Sequence, residues 1–130
     1  MENKKILIVD DEPHIVELVR VCLEESDFTI LEAYDGQDAL EKIRENKPDL
    51  VLLDVMLPRV DGFEVCQKIK EDSATAGIPV IILTARGQEI DKAKGFQCGA
   101  DAYLTKPFSP LRLLAEVKQR LEKSQEAPPL

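Results

Sequence analysis

The sequence predicts an α/β domain in which helices cover both faces of a five-stranded parallel sheet of order 2-1-3-4-5, a doubly wound fold. Short, almost continuously apolar runs alternate five times with stretches of helical period. Such unbroken runs are typical of parallel strands buried on both faces. Four of the five runs also lead directly into a polar residue, as expected near a topological switch point. The second run, ending in Ala33 and Tyr34, does not, which favours an off-centre position.

The predicted strands are the five apolar runs, each bounded by polar or turn-forming residues. They are Lys5–Asp10, Phe28–Ala33, Asp49–Asp54, Ile78–Thr84 and Ala102–Thr105.

The predicted helices lie between and after these strands, where apolar residues recur three or four positions apart. Four of them are Pro13–Ser26, Phe63–Glu71, Gln88–Gln97 and Pro110–Lys123. The remaining helix, second along the chain, is predicted from its apolar residues Ala39, Leu40 and Ile43. Pro13 suits a first helical turn, where a missing N–H leaves no bond unmade. The apolar face of this first helix is predicted to be Ile15, Leu18, Val19 and Cys22.

The chain of 130 residues has the length of one ordinary domain. We expect that domain to span residues 1–123 and residues 124–130, "SQEAPPL", to form a flexible tail or part of a linker. No apolar run approaches the roughly 18 residues of a membrane span. The N-terminus does not resemble a signal peptide, so a cytoplasmic location and no membrane partner are expected.

Charge and cysteine usage exclude several classes of function. The net charge is −8, from 17 basic and 25 acidic residues. Because affinity for nucleic acid comes largely from neutralising phosphates, direct binding to DNA or RNA is not expected. The three cysteines form no CxxC pair, which argues against disulfide and zinc sites. Cys22 and Cys66 lie on apolar stripes and are interpreted as small buried hydrophobes.

The polar residues at the strand ends form the candidate site. Asp10, Asp11 and Glu12 follow the first strand, Asp54 ends the third, Thr84 ends the fourth, and Lys106 follows the fifth. Two like charges about 4 Å apart repel by roughly 4 kcal/mol at an effective dielectric near 20, so three converging carboxylates need counter-charge. Lys106 supplies part of it, and Mg²⁺ with oxygen ligands suits the remainder. An aspartate beside such a metal can act as a phosphoryl acceptor.

Each of these residues also has an ordinary structural interpretation. The acidic pair in "DDEP" can cap the following helix, and Asp54 can cap a turn. Thr84 can be a strand-end hydroxyl, and Lys106 a solvated lysine. Their joint placement at four strand ends favours a functional site over four unrelated features.

Four motifs carry a family resemblance: "ILIVDDEP", "LVLLDVMLPRVDG", "VIILTA" and "GADAYLTKPF". They resemble the receiver domain of response regulators from two-component signalling, over Lys5 to about Lys123. The resemblance implies a flavodoxin-like fold. It also implies that Asp54 accepts a phosphoryl group from a histidine kinase or phosphotransfer protein, and that a conformational switch then controls a partner or effector domain. The domain would catalyse only its own phosphorylation and dephosphorylation.

The resemblance also implies roles for individual residues around the metal. Mg²⁺ would be held by Asp11, Asp54 and the backbone carbonyl of Met56, with Asp10 helping through water. These roles are expectations carried over from the family motif.

A second group of implied roles concerns switching and signal lifetime. Thr84 and Tyr103 would be the switch pair, and Lys106 the partner of the phosphoryl group. Met56 and Arg86, two residues beyond the acceptor and the switch threonine, would tune how fast water removes the phosphoryl group.

Rival functions are a metal-dependent phosphatase with an aspartyl nucleophile, a flavin-type electron carrier and a docking pseudo-receiver that is never phosphorylated. The phosphatase usually needs a second acid where this chain has Met56. The electron carrier needs a phosphate-binding loop where this chain has "DDEPH". The pseudo-receiver is disfavoured because every acidic pocket position is filled.

The expected oligomeric state is a monomer or a weak dimer. In receivers of winged-helix transcription factors, complementary charges pair the face formed by the fourth helix, fifth strand and last helix. Here Ala102, Arg112 and Glu116 depart from that charge pattern. Arg112 would face Lys92, a like-charge contact that disfavours pairing.

Overall fold

A computed structural model gives the fold and describes residues 4–24, 27–55, 57, 61–85, 98–106 and 108–125. Its strands all run parallel, and their order across the sheet is β2-β1-β3-β4-β5. They are β1 (Lys5–Val9), β2 (Thr29–Ala33), β3 (Leu50–Asp54), β4 (Val80–Ala85) and β5 (Ala102–Lys106). The predicted fold class and strand order are therefore confirmed.

Four helices lie in the described residues. They are α1 (Pro13–Glu24), α2 (Gly36–Asn46), α3 (Gly62–Glu71) and α4 (Pro110–Gln125). The last helix continues two residues past its predicted end at Lys123. The predicted helix Gln88–Gln97 and the predicted end of the first helix at Ser26 lie outside the described residues, as does 126–130. The division into a domain at 1–123 and a tail at 124–130 stays a prediction. No helix in the described ranges is long and apolar enough to cross a membrane.

Several strand boundaries differ from prediction by one or two residues, and at two of them local hydrogen bonds compete with the sheet. The first strand ends before Asp10, whose carboxylate accepts a hydrogen bond from the N–H of Glu12 at 3.0 Å. The fourth begins at Val80 and not at Ile78, because the N–H of Ile78 donates to the carbonyl of Thr75 in the preceding turn.

Two apolar layers fill the space on either side of the sheet. One lies under α1 and α4, the other under α2 and α3. The α1/α4 layer includes Ile8, Val19, Leu52, Leu104 and Leu113. The α2/α3 layer includes Val9, Ala39, Leu53, Val65 and Ile82. Successive strand residues alternate between the layers, which fixes the face to which each strand-end side chain belongs.

The predicted apolar face of α1 was partly wrong. Its buried residues are Val16, Val19 and Leu23, whereas Leu18 is 40% exposed. The sequence offers apolar residues on more than one side of this helix, and the spacing 16, 19 and 23 faces the sheet. Cys22 is half-buried, while Cys66 is fully buried as expected. Burial raises the pKa of the Cys66 thiol, which keeps it protonated and unreactive.

The C-terminus of α2 yields a stability prediction. Lys47 caps this helix in the left-handed region at φ 45°, and its N–H bonds to the Ile43 carbonyl. Glycine adopts this conformation without a Cβ clash, so Lys47→Gly should raise the free energy of unfolding by about 0.5–1 kcal/mol in urea titrations. Glu45→Gly, on an exposed position inside the same helix, should lower it by about 1 kcal/mol. Equal losses in both variants would contradict the capping argument.

Candidate functional site

The predicted site residues meet at the carboxyl edge of the sheet. Asp10 is 0% exposed, Asp54 3% and Thr84 1%, so three polar side chains are buried at the ends of the three inner strands. Carboxylate oxygens of Asp10, Asp11, Glu12 and Asp54 all lie within 4.8 Å of one another. The predicted convergence of Asp10, Asp11 and Asp54 is therefore present in the fold.

Lys106 binds this acidic cluster from the end of β5. Its Nζ lies 2.9 Å from Oδ2 of Asp10, 3.4 Å from Oε1 of Glu12 and 3.5 Å from Oδ2 of Asp54. Burial of the ammonium lowers the pKa of Lys106, but the hydrogen bond to Asp10 and the charges of Asp54, Asp10 and Glu12 outweigh that effect. The pKa of Lys106 therefore stands above its ordinary value, and the side chain stays protonated at physiological pH.

The charges of the cluster fit a hard divalent cation. Among the described residues, four carboxylates face one ammonium, so that these groups carry a net charge of −3 when the acids are ionised. Asp10 and Asp54 are buried, whereas Asp11 and Glu12 are exposed, which opens one side of the cluster to solvent. Mg²⁺ prefers oxygen ligands and keeps several of its waters, so a half-open set of carboxylates suits it.

Asp10 is held at its backbone N–H and at both carboxylate oxygens. Its N–H donates to the Ala33 carbonyl at 3.1 Å, its Oδ1 accepts from the N–H of Glu12, and its Oδ2 accepts from Lys106. A buried carboxylate bonded through both oxygens has little freedom to rotate. Asp10 therefore fixes both the ammonium and the start of α1.

The predicted switch pair belongs to the opposite face of the sheet. Tyr103 is half-buried and packs against the α2/α3 layer, and its register partner in β4 is Ile82 of the same layer. Thr84 follows Ile82 by two positions and so shares its face. Lys106 instead follows Leu104 of the α1/α4 layer by two positions. The fold thus separates the ammonium from the threonine–tyrosine pair.

Gly62 lets α3 approach the end of β3 at backbone distance. A Cβ at this position would lie 2.2 Å from the carbonyl oxygen of Asp54 and 2.6 Å from the Cα of Val55. The N–H of Gly62 donates to the Val55 carbonyl at 3.1 Å. Asp61 caps the helix by accepting a hydrogen bond from the N–H of Glu64. Glycine is therefore required at position 62 because the helix approaches the strand that carries Asp54 too closely for a Cβ atom.

The sequence places Glu12 after the first strand, but the prediction gave it no role in the site. The available signal was a third consecutive acid after the first strand, directly before Pro13. Met56 and Arg86 lie outside the described residues, so their predicted roles at the metal and in signal lifetime stay predictions. Lys92 lies outside them as well, and the predicted weak association of the chain stays a prediction.

The sequence around this site matches a known protein family. The family described as response regulator receiver domain matches residues 6–118. The chain belongs to this family. Receiver domains generally use Mg²⁺ and interact with histidine kinases and effectors, and the acidic cluster of this receiver domain fits that metal.

Curated relatives are transcriptional regulators. The alkaline phosphatase synthesis transcriptional regulatory protein PhoP of Bacillus subtilis is 48% identical over 98% of the chain and 52% of its own length. The phosphate regulon transcriptional regulatory protein PhoB of Pseudomonas aeruginosa is 48% identical over 95% of the chain and 54% of its own length. The receiver domain thus spans about half the length of the curated relatives it matches.

Solved structures agree with the family assignment. A CheY-like response regulator receiver domain protein from Methanospirillum hungatei superposes with a TM-score of 0.89 at 30% identity. That match covers 95% of this chain and 98% of the other. The chemotaxis response regulator CheY4 of Vibrio cholerae gives a TM-score of 0.86 at 30% identity, covering 92% and 99%.

The close approach at Gly62 yields a prediction with an internal control. Gly62→Ala should lower the free energy of unfolding by at least about 2 kcal/mol, because its Cβ meets backbone atoms that have no room to move. A Cβ at Gly77 meets nothing within 4 Å, so Gly77→Ala should change stability by less than about 1 kcal/mol. Urea titration of both variants measures the difference. Similar stability in the two would contradict the contact.

The raised pKa of Lys106 yields a pH prediction. A proton bound more tightly in the folded state stabilises it fully below the unfolded pKa, near 10.5, and this contribution disappears as pH rises through the folded pKa. At neutral pH, with a chelator present, Lys106→Met should lower the free energy of unfolding by about 2–4 kcal/mol, because two buried carboxylates lose their ammonium. The difference in the free energy of unfolding between wild type and variant should become smaller above about pH 10.5. A difference that does not change with pH would contradict stabilisation of the fold by the charge of Lys106.

Proposed function

We propose that Asp54 accepts a phosphoryl group from the phosphohistidine of a histidine kinase or phosphotransfer protein, and that the new charge switches the outer surface of the receiver domain. The observation that carries the proposal is the burial of Asp54 at the end of a central strand. Its carboxylate lies 3.5 Å from the Lys106 ammonium and within 4.8 Å of three further acids.

The proposed transfer uses Asp54 as the nucleophile. One carboxylate oxygen forms a bond to phosphorus while the bond from phosphorus to the donor histidine nitrogen breaks. The electron pair of the broken bond stays on the imidazole, which then takes up a proton. Lys106 stabilises the phosphoryl oxygens because an ammonium forms charge-assisted hydrogen bonds with them.

The repulsion among the acids explains a requirement for Mg²⁺. Asp11 and Asp54 would hold the ion, with Asp10 helping through water and the Met56 carbonyl as a further ligand. When bound, Mg²⁺ supplies positive charge against the carboxylates and the phosphoryl oxygens. The residues themselves supply the nucleophile, its orientation and the ammonium.

The proposed switch connects the two faces of the sheet. A phosphoryl group on Asp54 brings acceptor oxygens that the hydroxyl of Thr84 can meet from the neighbouring strand. Inward movement of Thr84 makes space on the face that it shares with Tyr103. Tyr103 then changes its packing, so that a local charge event alters a surface read by a partner.

Two of the rival functions, the phosphatase and the pseudo-receiver, account for the observations less well. A phosphatase-type enzyme is not favoured, because the matching family is a regulatory domain. A pseudo-receiver is not favoured, because Asp10, Asp11, Asp54, Thr84 and Lys106 are all present at the expected places. Since the curated relatives regulate transcription, the output we propose is control of a transcription effector, on the same polypeptide or as a separate partner.

Phosphoryl uptake tests the proposal directly. With a small-molecule phosphodonor and Mg²⁺, intact mass should increase by one phosphoryl group, and chelation or Asp54→Asn should abolish that increase. Asp11→Asn should reduce uptake through weaker metal binding. Lys106→Ala should impair the conformational response more than the uptake itself.

The matched control is Asp27→Asn, an exposed acid in the loop after α1 whose φ of 64° asparagine adopts readily. This variant should be phosphorylated like the wild type. Uptake that persists in Asp54→Asn, or that ignores chelation, would assign the chemistry to another residue.

A further inference from the structure

The three carboxylates that share Lys106 differ in their exposure to solvent. The side chain of Asp10 is 0% exposed and that of Asp54 is 5% exposed, whereas that of Glu12 is 47% exposed. Losing an ion-pair partner costs most where the remaining group is buried and least where water replaces the partner. Glu12 is therefore the carboxylate that can release Lys106 at the lowest cost.

The backbone of Glu12 is fixed even though its side chain reaches solvent. Its N–H donates to Oδ1 of Asp10 at 3.0 Å, and its carbonyl accepts from the N–H groups of Ile15 and Val16 at 3.0 and 3.2 Å. Release of Lys106 thus requires only a side-chain rotation and leaves the first turn of α1 intact.

The two oxygens of Glu12 have different partners. Oε1 lies 3.4 Å from Nζ of Lys106, and Oε2 lies 3.3 Å from Nε2 of His14, which is itself 73% exposed. Glu12 therefore retains a neighbour and solvent on its outer side after it gives up the ammonium.

We propose that Glu12 is a positioning residue that holds Lys106 in the resting site and competes with the phosphoryl group for it. This inference rests on the proposed function, because the competitor is a phosphoryl group on Asp54. Each gain of a contact between Lys106 and a phosphoryl oxygen is opposed by the loss of its contact with Glu12. The acid thereby biases the domain toward its unphosphorylated arrangement.

The direction in which the affinity for a phosphoryl analogue changes distinguishes this role of Glu12 from a merely structural one. Damage to the site weakens binding of a phosphoryl analogue, whereas removal of a competitor strengthens it. Beryllium fluoride is the probe, since it adds to a carboxylate in the geometry of a phosphoryl group. Its affinity is measured by titration calorimetry, with Mg²⁺ at a concentration that saturates each variant.

Glu12→Gln should tighten beryllium fluoride binding about threefold to fivefold, the size expected for one half-exposed ion pair. Glu17→Gln removes an exposed acid one helical turn further along α1 and should change the affinity by less than about 1.5-fold. Unchanged or weaker binding in Glu12→Gln would overturn the proposal.

A double-mutant cycle tests whether Glu12 acts through Lys106. In the Lys106→Ala background the competition no longer exists, so adding Glu12→Gln should leave the affinity within about 1.5-fold. Tightening that persists in this background would mean that Glu12 acts by direct repulsion, which overturns the proposed role.

The outcomes also separate this inference from the proposed function. Wild type that fails to bind beryllium fluoride, or Asp54→Asn that still binds it, would overturn the assignment of Asp54 and the role of Glu12 together. Wild type that binds through Asp54 while Glu12→Gln has no effect would overturn the role of Glu12 alone.

Discussion

The ammonium of Lys106 among the acidic side chains is the interaction on which the arrangement of the site depends. Asp10 and Asp54 lie at the end of a sheet whose strands are buried on both faces, so neither carboxylate is well hydrated. Buried carboxylates are tolerated only when paired or hydrogen-bonded. Lys106 meets this need from β5, which is separated from β1 by β3 and β4, and thereby ties the ends of β1, β3 and β5 together.

The alternation of side chains along the strands divides the polar residues of the candidate site between the two faces of the sheet. Lys106 belongs to the α1/α4 side, whereas Thr84 and Tyr103 belong to the α2/α3 side. The sheet between them is a packed apolar layer of low compressibility, which transmits strain. Thr84 lies buried at the edge of this layer, at the end of β4.

Local pattern was sufficient to predict the strands and most of the acidic cluster, because continuous apolar runs and strand-end aspartates are short-range signals. The strand order was only consistent with that pattern, through the second strand end that lacks a polar site residue. It was insufficient for the face of α1, where Leu18 and Val16 are equally apolar and only the packing against the sheet selects Val16. It also gave no role to Glu12, whose contact with Lys106 joins residues far apart in the sequence. Such contacts follow from the assembled sheet edge, which no local window of sequence contains.

Gly62, the first residue of α3, limits the direction in which the backbone of the site can move. With no side chain between them, the helix start and the end of β3 meet as two rigid bodies in backbone contact. The backbone of Asp54 consequently has no room to move toward α3. If Asp54 carries a phosphoryl group as proposed, we expect any displacement to fall on the side of β4 and β5, with the contact at Gly62 staying fixed.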